Sequence, residues 1–205
     1  MSVVAKRRTL IPGLLRDDRG ISSVEFALVC AVFFMCVLGI LDFSRALWEW
    51  NKAAKATQAG VRYAVVSDLV ALNLQNLDGT SLAPIGTSVP LGAVSPNPTY
   101  CTVAGCGPSI ASPNAAIIDL TAFQNIVAEM QKYHAEIADQ NVVVEYYHAG
   151  LGFAGNPAGP DVDPVVTVWL RDMEFTFLTP GLASLPTLIS LPPFRASLTS
   201  EDGKG

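Results

Sequence analysis

The sequence predicts an α+β protein. A long N-terminal α-helix, transmembrane and then stalk, leads into a small extracytoplasmic head in which one helix packs on an antiparallel sheet. Three observations predict it. Phe26 to Leu41 is an unbroken apolar run, FALVCAVFFMCVLGIL, behind a basic leader. Between Asp119 and Asp139, apolar residues recur three or four apart, the spacing of one helix face. Two β-rich stretches, Val142 to Tyr147 and Val165 to Leu170, are joined by a segment holding Pro157, Pro160 and Pro164. That joint is too short for a crossover helix, so the strands pair antiparallel.

Charge is distributed unevenly. The chain has 205 residues, 50% hydrophobic and 15% charged, with a formal net charge of −5. Lys6, Arg7, Arg8, Arg16 and Arg19 against Asp17 and Asp18 make the first twenty residues +3, which leaves −8 for the rest. Five basic residues before an apolar segment read as a cytoplasmic flank, because positive charge stays on the cytoplasmic side of an inserted helix. Everything after Leu41 then lies outside the cytoplasm. Lys and Arg are sparse beyond Arg62, so no nucleic-acid surface is expected.

At about 1.5 Å per residue, Phe26 to Leu41 makes about 24 Å of helix, short of a bilayer core of about 30 Å. Counting from Ile21 gives about 31 Å, which spans. The span therefore takes in Ser22, Ser23 and Glu25 at its cytoplasmic-side turn. A carboxylate there costs a few kcal/mol if unpaired in hydrocarbon, so it calls for a partner within an assembly. Two plainer readings compete. A secretory signal peptide would end in a small-residue cleavage site, where Asp42-Phe43-Ser44-Arg45 stands instead. An ordinary signal anchor would pull the charge into the headgroups.

Gly20 followed by Ile21-Ser22-Ser23-Val24-Glu25 resembles a class III type IV prepilin signal. The wider runs RGISSVEFALV, GILDFSRALWEW and QAGVRYAVV resemble the TadE-like pseudopilins of tight-adherence (Tad/Flp) pilus systems, over roughly residues 19 to 66. The resemblance implies that a prepilin peptidase cuts after Gly20, leaving Ile21 as the mature N-terminus. It implies that Glu25 pairs with the freed amine of a neighbouring subunit, since two buried opposite charges cost far less than one. It implies as partners other pilins or pseudopilins, the inner-membrane Tad platform proteins and the lipid bilayer, with the chain single-pass in the inner (cytoplasmic) membrane and its head periplasmic or extracellular. No small-molecule substrate, cofactor or metal is implied. Family members often carry a proline where Cys30-Ala31 stand here; without it the helix should run straighter.

The expected organisation is a basic leader over 1–20, a transmembrane helix over 21–41, a helical stalk over 42–68, a Gly/Pro-rich loop region over 69–118 and the head over 119–205. In the stalk, Asp42 and Arg45 stand three apart and can pair at the membrane exit, and Trp48 and Trp50 suit the interface. Ala53, Ala54, Ala56, Thr57, Ala59, Gly60 and Ala64 make a small-residue surface that another helix can approach closely, either from the head or from another subunit. Six prolines between Pro84 and Pro113 argue for a long surface loop. Cys101 and Cys106 fall in that loop. Thiols so close form a small disulfide loop in an oxidising compartment; zinc, the alternative, needs four ligands.

On the expected head helix Leu120, Phe123, Ile126, Val127, Met130, Tyr133 and Ile137 share the core face, with His134 on the polar side. The strand from Val165 is read as reaching Phe177, with Val165, Thr167, Trp169, Met173, Phe175 and Phe177 on one face. Pro193 to Thr199 is read as a third strand. Gly150 to Gly155 fits G-x-G-x-x-G, but Asn156-Pro157-Ala158-Gly159-Pro160 cannot open the helix a pyrophosphate needs. Asp161, Asp163 and Asp172 lack the spacing of a calcium loop. An enzyme is not expected. Two rivals stand beside the pseudopilin reading: a signal-anchored binding module in which Glu25 is incidental, and an anchored hydrolase built on His134 or His148 with a carboxylate and a hydroxyl.

Overall fold

The computed structural model describes residues 21–75, 77–91, 93–94, 97–157, 161–178 and 188–200. One 44-residue helix, α1 (Ile21–Ala64), runs unbroken through Cys30 and Ala31. At about 1.5 Å per residue it is about 66 Å long. Among the described residues its apolar half is left bare: Val24, Phe26, Leu28, Val29, Val32, Phe33 and Phe34 are all exposed. Beyond Leu41 it is built into the head.

Ala53, Ala56, Thr57, Gly60, Val61 and Ala64 recur at helical spacing and are buried, so the small-residue stripe of the stalk faces the chain's own head. A Cβ at Gly60 would stand 2.7 Å from Met130 Cγ, which shows how close the facing helix comes. That helix, α3 (Leu120–Gln131), is capped by Asp119, whose carboxylate accepts from the amides of Thr121 and Ala122, and it buries Phe123, Ile126, Val127 and Met130. It stops well short of Asp139. Leu120 and Tyr133 are exposed, whereas Ile137 reaches the core from the turns that follow. A short α2 (Leu72–Gln75) lies between the two.

The sheet has five antiparallel strands in the order β2-β1-β3-β4-β7. They are β1 (Thr99–Thr102), β2 (Gly105–Gly107), β3 (Val142–Tyr147), β4 (Val165–Leu170) and β7 (Phe194–Thr199). A buried hydroxyl links the sheet to the segment after α1: the Val70 amide donates to the Tyr146 hydroxyl at 2.9 Å, and burial pushes that phenol well above its ordinary pKa.

Three expectations need correction. The Gly/Pro-rich region is not loop throughout, because Thr99 to Gly107 forms the hairpin β1–β2 on the sheet edge, with Cys101 opposite both Cys106 and Val144. Its prolines flank the hairpin and so punctuate it without removing a ladder donor. The strand from Val165 ends at Leu170, where Asp172 takes a φ of 55° and the Asn141 side-chain amide donates to the carbonyls of Arg171 and Asp172 at 3.0 and 3.2 Å. The chain then enters a separate ribbon, β5 (Glu174–Thr176) with β6 (Leu188–Ser190). The buried face of β4 is Val166, Val168 and Leu170, the opposite parity to the Val165, Thr167, Trp169 set. Trp169 instead donates to Glu145 at 2.8 Å with the Arg195 guanidinium 3.5 Å over its ring.

Asp161 holds the loops of the smaller core, Ala83, Val89, Ala154 and Val162. Its carboxylate accepts from Asn156 N at 2.8 Å and Gly79 N at 2.8 Å, and the Gly155 and Asn156 amides hold it below the usual Asp range. A carboxyl with a depressed folded pKa stabilises above its unfolded value of about 3.9 and loses that contribution as pH falls through the folded one. The stability advantage of the wild type over Asp161→Asn is therefore expected at neutral pH and should vanish in acid below the Asp range. Urea denaturation of both proteins across pH checks this; a difference that stays constant into acid contradicts it.

Candidate functional site

The site is the long helix itself, whose two halves face different surroundings. Glu25 is exposed on the bare half, and among the described residues no Lys, Arg or His makes an ion pair with it. Ile21 is the first residue of α1, one turn away from it. Gly20 lies outside the described residues.

Where the apolar run ends, a stripe of charge begins. Asp42 is 3% exposed, and its Oδ1 accepts from Arg45 Nη1 at 3.3 Å and from the backbone amide of Leu178 at 3.0 Å. Arg45 also stands 5.3 Å over the Phe175 ring. So the pair expected at Asp42 and Arg45 forms, and it carries a third member from the head, 136 residues along the chain. One turn on, Glu49 accepts from Lys52 at 3.2 Å, and its Oε2 lies 3.4 Å from Nε2 of His134. His134 is buried, not on a polar helix face, because α3 has already ended and the turns after it fold the imidazole toward α1. Sequence reasoning missed this contact. The signal was there: Asp42, Arg45, Glu49 and Lys52 follow one another at spacings of three and four, a single helical stripe.

The aromatic pair divides. Trp48 is exposed at the level expected for an interface, whereas Trp50 packs edge-on against Phe194 at 4.8 Å. Cys101 and Cys106 are disulfide-bonded and wholly buried, and Cys106 Sγ lies 4.0 Å from the Val70 carbonyl, beyond the far end of α1. Gly150, Gly152 and Gly155 all have positive φ in a loop that no helix follows among the described residues. His148 is buried with Nε2 3.2 Å from the Val89 carbonyl. Among the described residues no three His, Cys, Asp or Glu side chains gather as a metal site.

The apolar half of α1 has a mean hydropathy of 2.7 over its best window and none of that window is buried. It is long and apolar enough to cross a membrane. Residues 20–62 match the family described as TadE-like protein. The TadE-like segment thus begins at Gly20, contains Glu25 and the whole charged stripe, and ends two residues before α1 does. The sheet, α3 and the hairpin lie outside it. No curated protein and no solved structure shows significant similarity to the chain.

Among the described residues the Leu178 amide donates to Asp42 in a part-buried contact, and a hydrogen bond to a charged group contributes about 1.5–3 kcal/mol. Asp42→Ala should therefore speed hydrogen exchange at Leu178 by about tenfold to a hundredfold, at roughly tenfold per 1.4 kcal/mol, while exchange in β3 is unchanged. An unaltered rate at Leu178 would show that the contact does not hold the ribbon to the helix.

Proposed function

We propose that this protein is a minor pseudopilin-like subunit of a Tad/Flp pilus or a related type IV or type II secretion-like machine, working in pilus assembly, initiation or adherence. It is synthesised with its N-terminus in the cytoplasm, spans the inner membrane once and presents its head in the periplasm or outside the cell. A prepilin peptidase removes the leader after Gly20. Its own role is assembly and not catalysis, with other pilins or pseudopilins and the Tad platform proteins as partners.

The observation that carries this reading is Glu25: an exposed carboxylate on an uncovered apolar helix, within the TadE-like segment and four residues from Ile21. In hydrocarbon that charge costs a few kcal/mol alone, and an ammonium from a neighbouring helix offsets much of it. Cleavage after Gly20 would create such an ammonium on every copy. Ile21 and Glu25 lie about 6 Å apart along the axis, so a parallel neighbour whose amine meets Glu25 is displaced by about one helical turn. Because the two groups are different, the contact is head-to-tail and repeats into a filament instead of closing as a dimer.

Mass spectrometry of protein purified from its native membrane should give Ile21 as the first residue, and Gly20→Ala should leave the leader attached. Glu25→Ala should abolish pilus assembly while cleavage continues, with Glu25→Asp retaining part of it. An intact N-terminus together with normal assembly in Glu25→Ala would point to the signal-anchored binding module. Cleavage with undiminished assembly in Glu25→Ala would sink the charge-pairing mechanism alone.

A further inference from the structure

The ribbon β5–β6 is tied to the helix at the point where the apolar run stops. Asp42 follows Leu41 directly, and the Leu178 amide donates to its carboxylate at 3.0 Å. The rest of the ribbon climbs away from that level. Arg45 covers Phe175, and a cavity of about 100 Å³ beside Glu49 and His134 is lined by Met173, Glu174, Phe175 and Leu191. The Leu191 amide donates to the Met173 carbonyl at 2.8 Å. The chain therefore descends from Met173 to Leu178 and ascends again from Leu188 to Leu191.

Among the described residues Leu178 and Leu188 stand at the low end of the ribbon, and both are exposed. Leu178 is 63% exposed, and Leu188 and Ile189 are each 41% exposed. The stretches Phe175 to Leu178 and Leu188 to Leu191 hold no charged residue. Single exposed leucines on a soluble surface need no explanation. These are different because they share a level with the end of the membrane-length run and with exposed Phe43 on α1 itself, just below exposed Leu47 and Trp48. Amphipathic aromatic and aliphatic groups at that depth lie in the boundary between headgroups and acyl chains.

We propose that the low end of the β5–β6 ribbon is a membrane-contact surface: Leu178 and Leu188 rest in the lipid interface around the exit of α1, so the head sits on the bilayer instead of standing clear of it. The occupant is lipid, because the patch continues the apolar surface of the spanning helix and is fixed to it by Asp42. The inference rests on α1 crossing the membrane. Two consequences follow. The head's tilt is set by two lipid contacts, helix and ribbon, and the Asp42 carboxylate is shielded from water by the protein above and by lipid below.

Nitroxide labels on the full chain in phosphatidylcholine/phosphatidylglycerol vesicles test it. Cys30 and Cys36 are replaced by Ser, Cys101 and Cys106 remain bonded, and one cysteine is introduced by Leu178→Cys, Leu188→Cys, Val32→Cys or Val103→Cys. Val32 lies within the apolar run and Val103 in the hairpin at the far end of the head. Collision rates with oxygen, which concentrates in lipid, and with a water-soluble nickel chelate are read for each label. The ratio of oxygen to nickel collisions at 178 and 188 is expected to be several-fold above that at 103 and closer to that at 32. Labels at 178 and 188 that behave like 103 while 32 reports lipid overturn the surface alone. If 32 also reports water, the spanning helix itself is wrong, and the surface falls with it. Labels at 178 and 188 hidden from both reagents, with broadening that grows with protein density, assign the patch to a second copy and equally overturn the lipid contact.

Discussion

A single unbroken helix has two unlike halves, one bare and one built into the head, and everything else in the structure depends on where the first gives way to the second. The proximal half of α1 leaves its apolar side chains uncovered on every side, which water would penalise at about 25 cal/mol per Å². The distal half buries one stripe of small residues against α3 and the sheet. Gly60 shows how demanding that contact is, since the Met130 side chain occupies the space a Cβ would need. The head cannot slide along α1, because its position is fixed by this close packing above and by the Asp42 contact below.

Asp42 sits where those two requirements meet. A carboxylate placed at the end of an apolar run could face headgroups and water; here it is almost fully covered. It is tolerated because Arg45 supplies charge and the Leu178 amide supplies a donor. Glu49, Lys52 and His134 repeat the pattern about two turns higher. The charged stripe is thus the seam along which the ribbon and the turns after α3 are attached, which is why a segment matched as TadE-like carries structural weight for a head lying outside the match.

Much of the fold was legible in the sequence because its signals are local. The apolar run, the stripe from Ala53 to Ala64 and the face of α3 announce themselves by periodicity, and β3 and β4 by β-rich composition, although the buried face of β4 has the opposite parity to the one expected. What escaped depends on partners distant in the chain. Thr99 to Gly107 becomes strand only because β3 is present to pair with it. The strand at Leu170 stops because Asn141, thirty residues earlier, binds the carbonyls that turn the chain. Of the candidate site, Glu25 was legible because a charge in an apolar run is conspicuous. The Leu178 contact was not, because a backbone amide leaves no trace in the residue type, and His134 was misplaced because its helix ends early.

The continuity of α1 also constrains how copies of this chain can meet. If Glu25 of one copy binds the Ile21 amine of the next, the axial displacement of about one turn is imposed at the N-terminal end of the helix. No proline interrupts α1, so no hinge absorbs that displacement, and the close packing at Gly60 passes it to the head. Neighbouring heads on parallel helices are then offset by about 6 Å along the axis and cannot present identical residues to each other. Their contacts must be between unlike surfaces, for the same reason that the Glu25 contact is between unlike groups. A symmetric head-to-head dimer and a Glu25-paired filament are therefore mutually exclusive uses of this fold, since one requires no axial offset and the other imposes it.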